Sequence, residues 1–341
     1  NSPQDLSFIW MYVEQNRFTE DSRGTLTTPI AGNRYSGDTD GGLTITNLVA
    51  KTKGEASSKY LISDTRMQVF FNKPIPANGG KAIISMNFEF KIPEEGMDRM
   101  GRLDTNKGTI YSMAQWYPRA AVYDDVIGWN TEPYLGAGEF YVEYGNFDYK
   151  VTVPYDYIVV GSGELVNTKE ALSKELQNRW KNAAASEKTV YLISPAEVGN
   201  TALTRPVQSG KITWHYKMTN TRDVAFAASK AFIWDGARIN LPSGKKSMAQ
   251  SVYTKESDGQ HAWTRSTEYV KASIEHYSSK WFEYPYPNAV NVASNVGGME
   301  YPGVSFCHAS STGSELWDVT DHEFGHNWFP MIVGSTERRY A

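Results

Sequence analysis

The hydrophobic pattern of this chain changes period partway along, and that change limits the folds open to it. Ile84, Met86, Phe88, Phe90 and Ile92 alternate with Ser85, Asn87, Glu89 and Lys91, and Phe147, Tyr149, Val151 and Val153 alternate with Asp148, Lys150 and Thr152. A period of two places one set of side chains on one face of a strand. Asn78-Gly79-Gly80, Gly136-Ala137-Gly138 and Gly145-Asn146 punctuate these runs as turns do. A short polar stretch, Lys169–Asn182, is the first with helical character. The pattern predicts an antiparallel, all-β domain over residues 1–219. Later, Trp263, Val270, Ile274, Tyr277 and Trp281 recur at spacings of seven, four, three and four, which predicts one face of a long helix. Its start is expected at Ser257, capped with Gln260, and its end before Tyr284-Pro285-Tyr286-Pro287. Strands at Ala289–Ala293 and Val304–Cys307 then feed another helix. The fold class expected is α+β and multidomain, with the second domain over residues 220–341, because 341 residues exceed the usual size of one domain.

Charge and composition exclude several function classes. A net charge of −4 leaves no footprint for nucleic acid. No apolar run approaches the length of a membrane span, and no signal-peptide pattern opens the chain. The start at Asn1-Ser2-Pro3-Gln4 is that expected of a processed or excised piece. Cys307 is alone, so no internal disulfide framework exists, and it is expected to be a buried, inert thiol. A lone thiol suits the cytosol or an exported compartment equally.

The chemistry concentrates near the C-terminal end, in His322-Glu323-Phe324-Gly325-His326. Histidines four apart share one helical face and reach a single metal ion, and Glu323 beside them is placed to take a proton from water that the metal activates. Six histidines in 341 residues give this spacing by chance in roughly one chain in a couple of hundred. Context therefore decides. Thr312-Gly313-Ser314-Glu315 forms a capping box that starts a helix before Leu316, with Val319 and Phe324 on its apolar side and Pro330 at its end. A rival start at Thr320 would turn Glu323 into a capping residue. Gly325 inside the pattern suggests close packing. Phe329 and Ile332 stand where the metzincin pattern needs Gly and His, so that class is excluded. Glu337, eleven residues past His326, leaves little room for a loop and a second ligand-bearing helix. The residues present supply two ligands and a base.

A second segment, Gly297-Gly298-Met299-Glu300-Tyr301-Pro302-Gly303, lies just upstream. Paired glycines let an extended peptide approach the backbone, and Glu300 beside them suits a cation such as a free α-ammonium. Alone, a Gly-Gly turn followed by an exposed Glu is commonplace; together with the histidines the functional reading gains ground.

On these two segments the chain resembles the M1 family of zinc aminopeptidases, the gluzincin group that includes aminopeptidase N and leukotriene A4 hydrolase. GGMEYPG at 297–303 is similar to that family's G-x-M-E-N motif, and HEFGHNWFP at 322–330 to its metal helix. Met113-Ala114-Gln115-Trp116-Tyr117-Pro118-Arg119 resembles its Gln-containing loop. The resemblance implies a saddle-shaped β N-terminal domain and a thermolysin-like catalytic domain. It implies His322 and His326 as ligands of one zinc ion, Glu323 as general base and Glu300 as anchor of the substrate's amino terminus. Gln115 would shape the first subsite, and Gly297, Gly298 and Met299 would line the peptide. Tyr301 stands where many members have Asn, which should tune substrate fit. The third ligand would be a Glu nineteen residues after His326, four past Ala341. Asp5–Gln15 resembles an internal strand of the family, so the chain is expected to be a segment of a longer enzyme. That segment should bind zinc weakly and hydrolyse little by itself. Its expected partners are peptides with a free N-terminus and the remainder of its own polypeptide, and the family suggests an exported location. A zinc endopeptidase and a non-catalytic scaffold are the alternatives. His308, His215, His261 and His276 are expected to be structural, and Glu337-Arg338-Arg339 to form solvated or inter-domain ion pairs.

Overall fold

The computed structural model describes residues 2–27, 41–92 and 99–340. It is α+β with mostly antiparallel sheets, as the two hydrophobic periods require. Contacts divide it into two compact units: Asn1–Glu94, Gln115–Glu143 and Ser335–Ala341 form the first, and Glu95–Ala114 and Tyr144–Gly334 the second. The expected boundary after residue 219 falls inside a strand, Lys211–Thr221, that pairs along its length with Gly145–Pro154. A ladder of that length holds both strands in one unit.

In the first unit, strands Tyr60–Ser63, Arg66–Ile75, Leu6–Tyr12 and Arg119–Ala120 lie side by side in that order, and Glu55–Ser57, Thr44–Thr52 and Ile83–Glu89 form a smaller sheet. The alternation read from Ile84 to Phe90 is kept. Ile84, Met86, Phe88 and Phe90 pack against a buried cluster that includes Met11, Val13, Ile45, Leu48, Met67, Val69 and Phe71. Each such buried side chain contributes roughly 1.5–3 kcal/mol before entropy is counted.

The second unit is built around six strands: β1 (Val190–Ile193), β2 (Ile233–Asn240), β3 (Lys246–Tyr253), β4 (Asn288–Ser294), β5 (Met299–Tyr301) and β6 (Val304–His308). Their spatial order is β1-β2-β3-β4-β6-β5. The β3-β4 and β4-β6 pairs are parallel and the others antiparallel. Two helices, α1 (Ser266–Lys280) and α2 (Gly313–Gly325), pack with them. Ile233, Tyr253, Trp263, Tyr269, Ala293, Cys307 and Leu316 make one buried cluster from strands and helices together. Burial pushes the Cys307 thiol well above its ordinary range, which suits the expected inert cysteine. The polar stretch near 169–182 is helical but broken, into Thr168–Ala171 and Lys174–Ala185, where the Ser173 hydroxyl caps the second piece by accepting the Leu176 N–H.

Helix α1 corrects the expected start and the expected face. Ser257 donates its hydroxyl to the Ala309 carbonyl, so it is committed to a tertiary contact instead of a cap, and the α-helix begins at Ser266 after one 3-10 turn, Trp263–Arg265. Val270 and Ile274 are buried as the spacing requires, but Trp281 lies beyond the last turn and is 62% exposed, stacked on Tyr277. Among the described residues no helix is long and apolar enough to cross a membrane.

Candidate metal centre

Helix α2 begins at Gly313, nine residues before His322, so the rival start at Thr320 is not used. The expected capping box is not made: Thr312 bonds no backbone N–H through its side chain, and Glu315 meets Ser311 at 3.4 Å instead. What fixes the helix is its buried stripe, Leu316, Thr320, Glu323 and Phe324, at the spacing of one face. Gly325 packs against the Tyr277 ring, where a Cβ would lie 3.4 Å from its atoms. Asp321 locks α2 to α1 by accepting the Ser273 hydroxyl and the Tyr277 phenol, each at 2.7 Å. Thr320 Oγ1 accepts Asn291 Nδ2 from β4 at 3.0 Å.

The i, i+4 spacing brings His322 Nε2 and His326 Nε2 to 2.9 Å, with the rings nearly perpendicular. After His326 the chain makes a wide π-helical turn, Asn327–Ile332, and the extended backbone at Phe329 aims that residue's carbonyl at His326 Nδ1, 2.9 Å away. A carbonyl only accepts, so Nδ1 carries the proton and Nε2 keeps its lone pair for a cation.

Glu323 is buried at 4% exposure, and its Oε2 has no hydrogen-bond partner among the described residues. Glu300, on β5, is also buried, and its Oε1 lies 4.0 Å from His326 Nε2. Glu300, Glu323 and His326 present donor atoms all within 4.8 Å of one another, and His322 adjoins the group through His326. Burial raises the Glu323 carboxyl well above the carboxylate range, and the neighbouring Glu300 raises it further, while Arg99 works against both. Burial likewise lowers His322, as does His326, which keeps its imidazole neutral and able to ligate. Two imidazole nitrogens and two crowded carboxylates, one with an oxygen that has no partner among the described residues, form a donor set that fits zinc, and a cation there reverses the repulsion that raises Glu323.

The two glycines differ. Gly298 sits at φ +86, and a Cβ there would lie 2.9 Å from Glu323 Oε1; at Gly297 the nearest atom would be His308 Cδ2 at 3.8 Å. Met299 and Tyr301 are buried in β5, with the Tyr301 ring edge-on to Phe306. Gln115 belongs to the first unit, where it is buried at φ +51, accepts Gln15 Nε2 on its carbonyl, and has a side-chain Nε2 with no partner among the described residues. His308 bonds Ser310, His215 bonds Asp148, and His261 and His276 are exposed. The Glu337-Arg338-Arg339 run is a correction in part. The side chain of Arg338 is buried within the first unit against Glu14, because Tyr12 and Tyr134 shelter its guanidinium, whereas Arg339 pairs with Glu132 in the open. Asn327, Asp321 and Thr320 escaped the sequence reading. For Thr320 and Asn327 a signal existed: both fall on the buried stripe of α2 or its extension, where a polar residue needs a partner.

Neither a family model nor a curated protein matches this chain. Solved structures do. An M1 zinc metallopeptidase from Deinococcus radiodurans is similar at 12% identity and TM-score 0.53, over 98% of this chain and 59% of that one. A variant of it bound to a Tyr-Ser-Ala substrate is similar at 11% identity and TM-score 0.55, with the same coverage. Legionella pneumophila aminopeptidase A, in complex with aspartic acid, is similar at 10% identity and TM-score 0.50, over 95% of this chain and 30% of that one. Identities this low speak for the fold, and the chain spans about three fifths of the length of the first two.

Proposed function

We propose that this chain carries the metal centre of a zinc peptidase that cleaves the first bond of peptides with a free amino terminus. The observation that supports it is the meeting of the His322–His326 pair, 2.9 Å apart, with buried Glu323 and with Glu300, 4.0 Å from His326. His322 and His326 would hold one zinc ion. Zinc when bound supplies positive charge that lowers the pKa of a water and polarises a carbonyl. Beside a cation the buried Glu323 carboxyl returns to its ionised form, takes the proton of the attacking water and gives it to the leaving amine.

Glu300 pairs with the substrate's α-ammonium, which fixes the register so that the first peptide bond meets Glu323. The backbone of Gly297, Gly298 and Met299 lies along the peptide. The likeness to Legionella pneumophila aminopeptidase A and to the Deinococcus radiodurans metallopeptidase with bound Tyr-Ser-Ala supports the same class.

The test uses the full-length protein and one peptide in free and N-acetylated forms. Cleavage of the free form alone is expected. Equal cleavage of both would make it an endopeptidase, and protein that holds no zinc would be a scaffold. Glu323→Gln is expected to lower kcat by about 10²–10⁴-fold with zinc retained; near-normal turnover would remove Glu323 from its role.

A further inference from the structure

The side chain of Asn327 links the two segments that make up the centre. It is fully buried, at the start of the turn that follows His326. Its Nδ2 donates to the Phe324 carbonyl at 3.2 Å, within the last turn of α2. Its Oδ1 accepts the Gly303 N–H at 3.1 Å, in the two-residue turn between β5 and β6. One amide thus holds the helix that carries His322 and ends at His326, and the hairpin that carries Glu300. The hairpin turn has little freedom to adjust. Gly303 sits at φ +75, a Cβ on it would lie 3.2 Å from the Asn288 carbonyl, and its own carbonyl accepts the Val290 N–H at 2.9 Å.

Other bonds of the π-helical turn run elsewhere. Arg222 Nε donates to the Met331 carbonyl at 2.9 Å and Trp328 Nε1 to the Phe282 carbonyl at 2.8 Å. These steady the turn, while Asn327 ties it to the hairpin. Glu300 lies three residues before Gly303, and His326 directly precedes Asn327, so a shift at either end of this amide changes the distance between the amine anchor and the metal ligands.

We propose that Asn327 is a positioning residue that sets the separation of Glu300 from the His322–His326 pair, and with it the preference for free amino termini. This rests on the aminopeptidase reading. An anchor displaced by about 1 Å still binds ammonium but no longer delivers the first bond to the base, a fault that can cost about 10²-fold. The readout is therefore the ratio of kcat/KM for a free tripeptide to that for its N-acetylated form, measured on full-length protein with zinc content and melting temperature beside it.

Asn327→Leu keeps the branched shape, at a larger volume, and removes both bonds; Asn327→Ser is too short to reach both partners. Each is expected to lower the ratio by about tenfold or more at unchanged zinc content. Asn327→Asp, which keeps an acceptor for Gly303, is expected to retain more of the ratio than leucine does. A folded leucine or serine variant with the wild-type ratio overturns the inference, as does zinc loss at an unchanged ratio. If the leucine variant fails to fold, the serine variant decides in the same terms. A wild-type protein that cleaves both forms equally overturns the aminopeptidase reading, and this inference with it.

Discussion

Gly298 is held to glycine by two constraints that act together. Its φ of +86 is costly for any residue with a Cβ, and that Cβ would lie 2.9 Å from Glu323 Oε1. The clashing atom is the end of a side chain, but Glu323 is buried, and a displaced carboxylate no longer meets its substrate. Gly298→Ala is therefore expected to cost only about 1–2 kcal/mol of stability. In the proposed reaction it should lower kcat/KM by about 10²-fold. Gly297→Ala meets nothing nearer than 3.8 Å and should cost less on both counts. Melting curves and kinetics of the two variants check this; equal losses would show that the carboxylate contact plays no part. The sequence displayed both glycines but not their difference, because that difference depends on which one faces α2. That His322 and His326 meet on one side was legible from their spacing, since an α-helix converts a separation of four into a shared face. The role of Phe329 was not legible: its carbonyl reaches His326 Nδ1 only because the helix gives way to a π-helical turn.

Beneath α1 and α2 the strands of the second unit carry a buried polar network that no periodicity announces. Asp235 on β2 accepts Thr267 Oγ1 at 2.5 Å and Tyr253 OH at 2.9 Å, and Thr267 and Ser266 connect through Ser251 and Asn291 to Thr320 of α2. Burial pushes the Asp235 carboxyl up to about 7, the two hydroxyl donors oppose this, and Asp258 and Glu268 add to it. A folded-state pKa above the unfolded value of about 3.9 means the fold holds this proton more tightly than the open chain does. The stabilisation is full below about pH 4, falls as pH rises toward 7, and is gone above it. Asp235→Asn imitates the protonated carboxyl, so its stability relative to wild type should rise by a few kcal/mol between about pH 4 and 7. Denaturant midpoints across that range check it, and a constant difference would mean Asp235 does not titrate there. At this scale β4, β6 and the two helices were legible in the sequence, whereas β1, β2, β3 and β5 were not read from it. The start of α1 was not legible: Ser257 looks like a cap until Ala309 claims its hydroxyl.

Across the whole molecule the connectivity matters most, because the chain passes between the two units four times and the seven residues of its last segment belong to the first unit. A boundary read from hydrophobic period places residues by type of element, and so assigns the strands after 144 to the β-rich part. Their ladders assign them otherwise: Gly145–Pro154 pairs with Lys211–Thr221, and Ile158–Gly161 with Phe226–Ser229, within the unit that holds the candidate metal centre. The last segment is held in the first unit by Arg338, whose guanidinium lies 3.6 Å over the Tyr12 ring, 2.5 Å from Glu14, and donates to the Gly138 carbonyl. Glu14 is wholly buried and shared with Arg119, whose Nε donates to it at 2.9 Å. Removing Arg338 leaves Glu14 paired with Arg119, so what is lost is one buried charge-assisted hydrogen bond, about 1.5–3 kcal/mol, and the cation's contact with the Tyr12 ring, about 0.5–2 kcal/mol. Arg338→Ala is accordingly expected to destabilise the first unit by a few kcal/mol. Arg338→Lys should recover part of that loss, since an ammonium restores the charge but not the planar contact with Tyr12. Arg339→Ala, which breaks only the exposed pair with Glu132, should change little. Unfolding followed by the fluorescence of Trp10 and Trp129 in the first unit separates these cases. If Arg338→Ala melts as the wild type does, Arg338 does not hold the last segment in place.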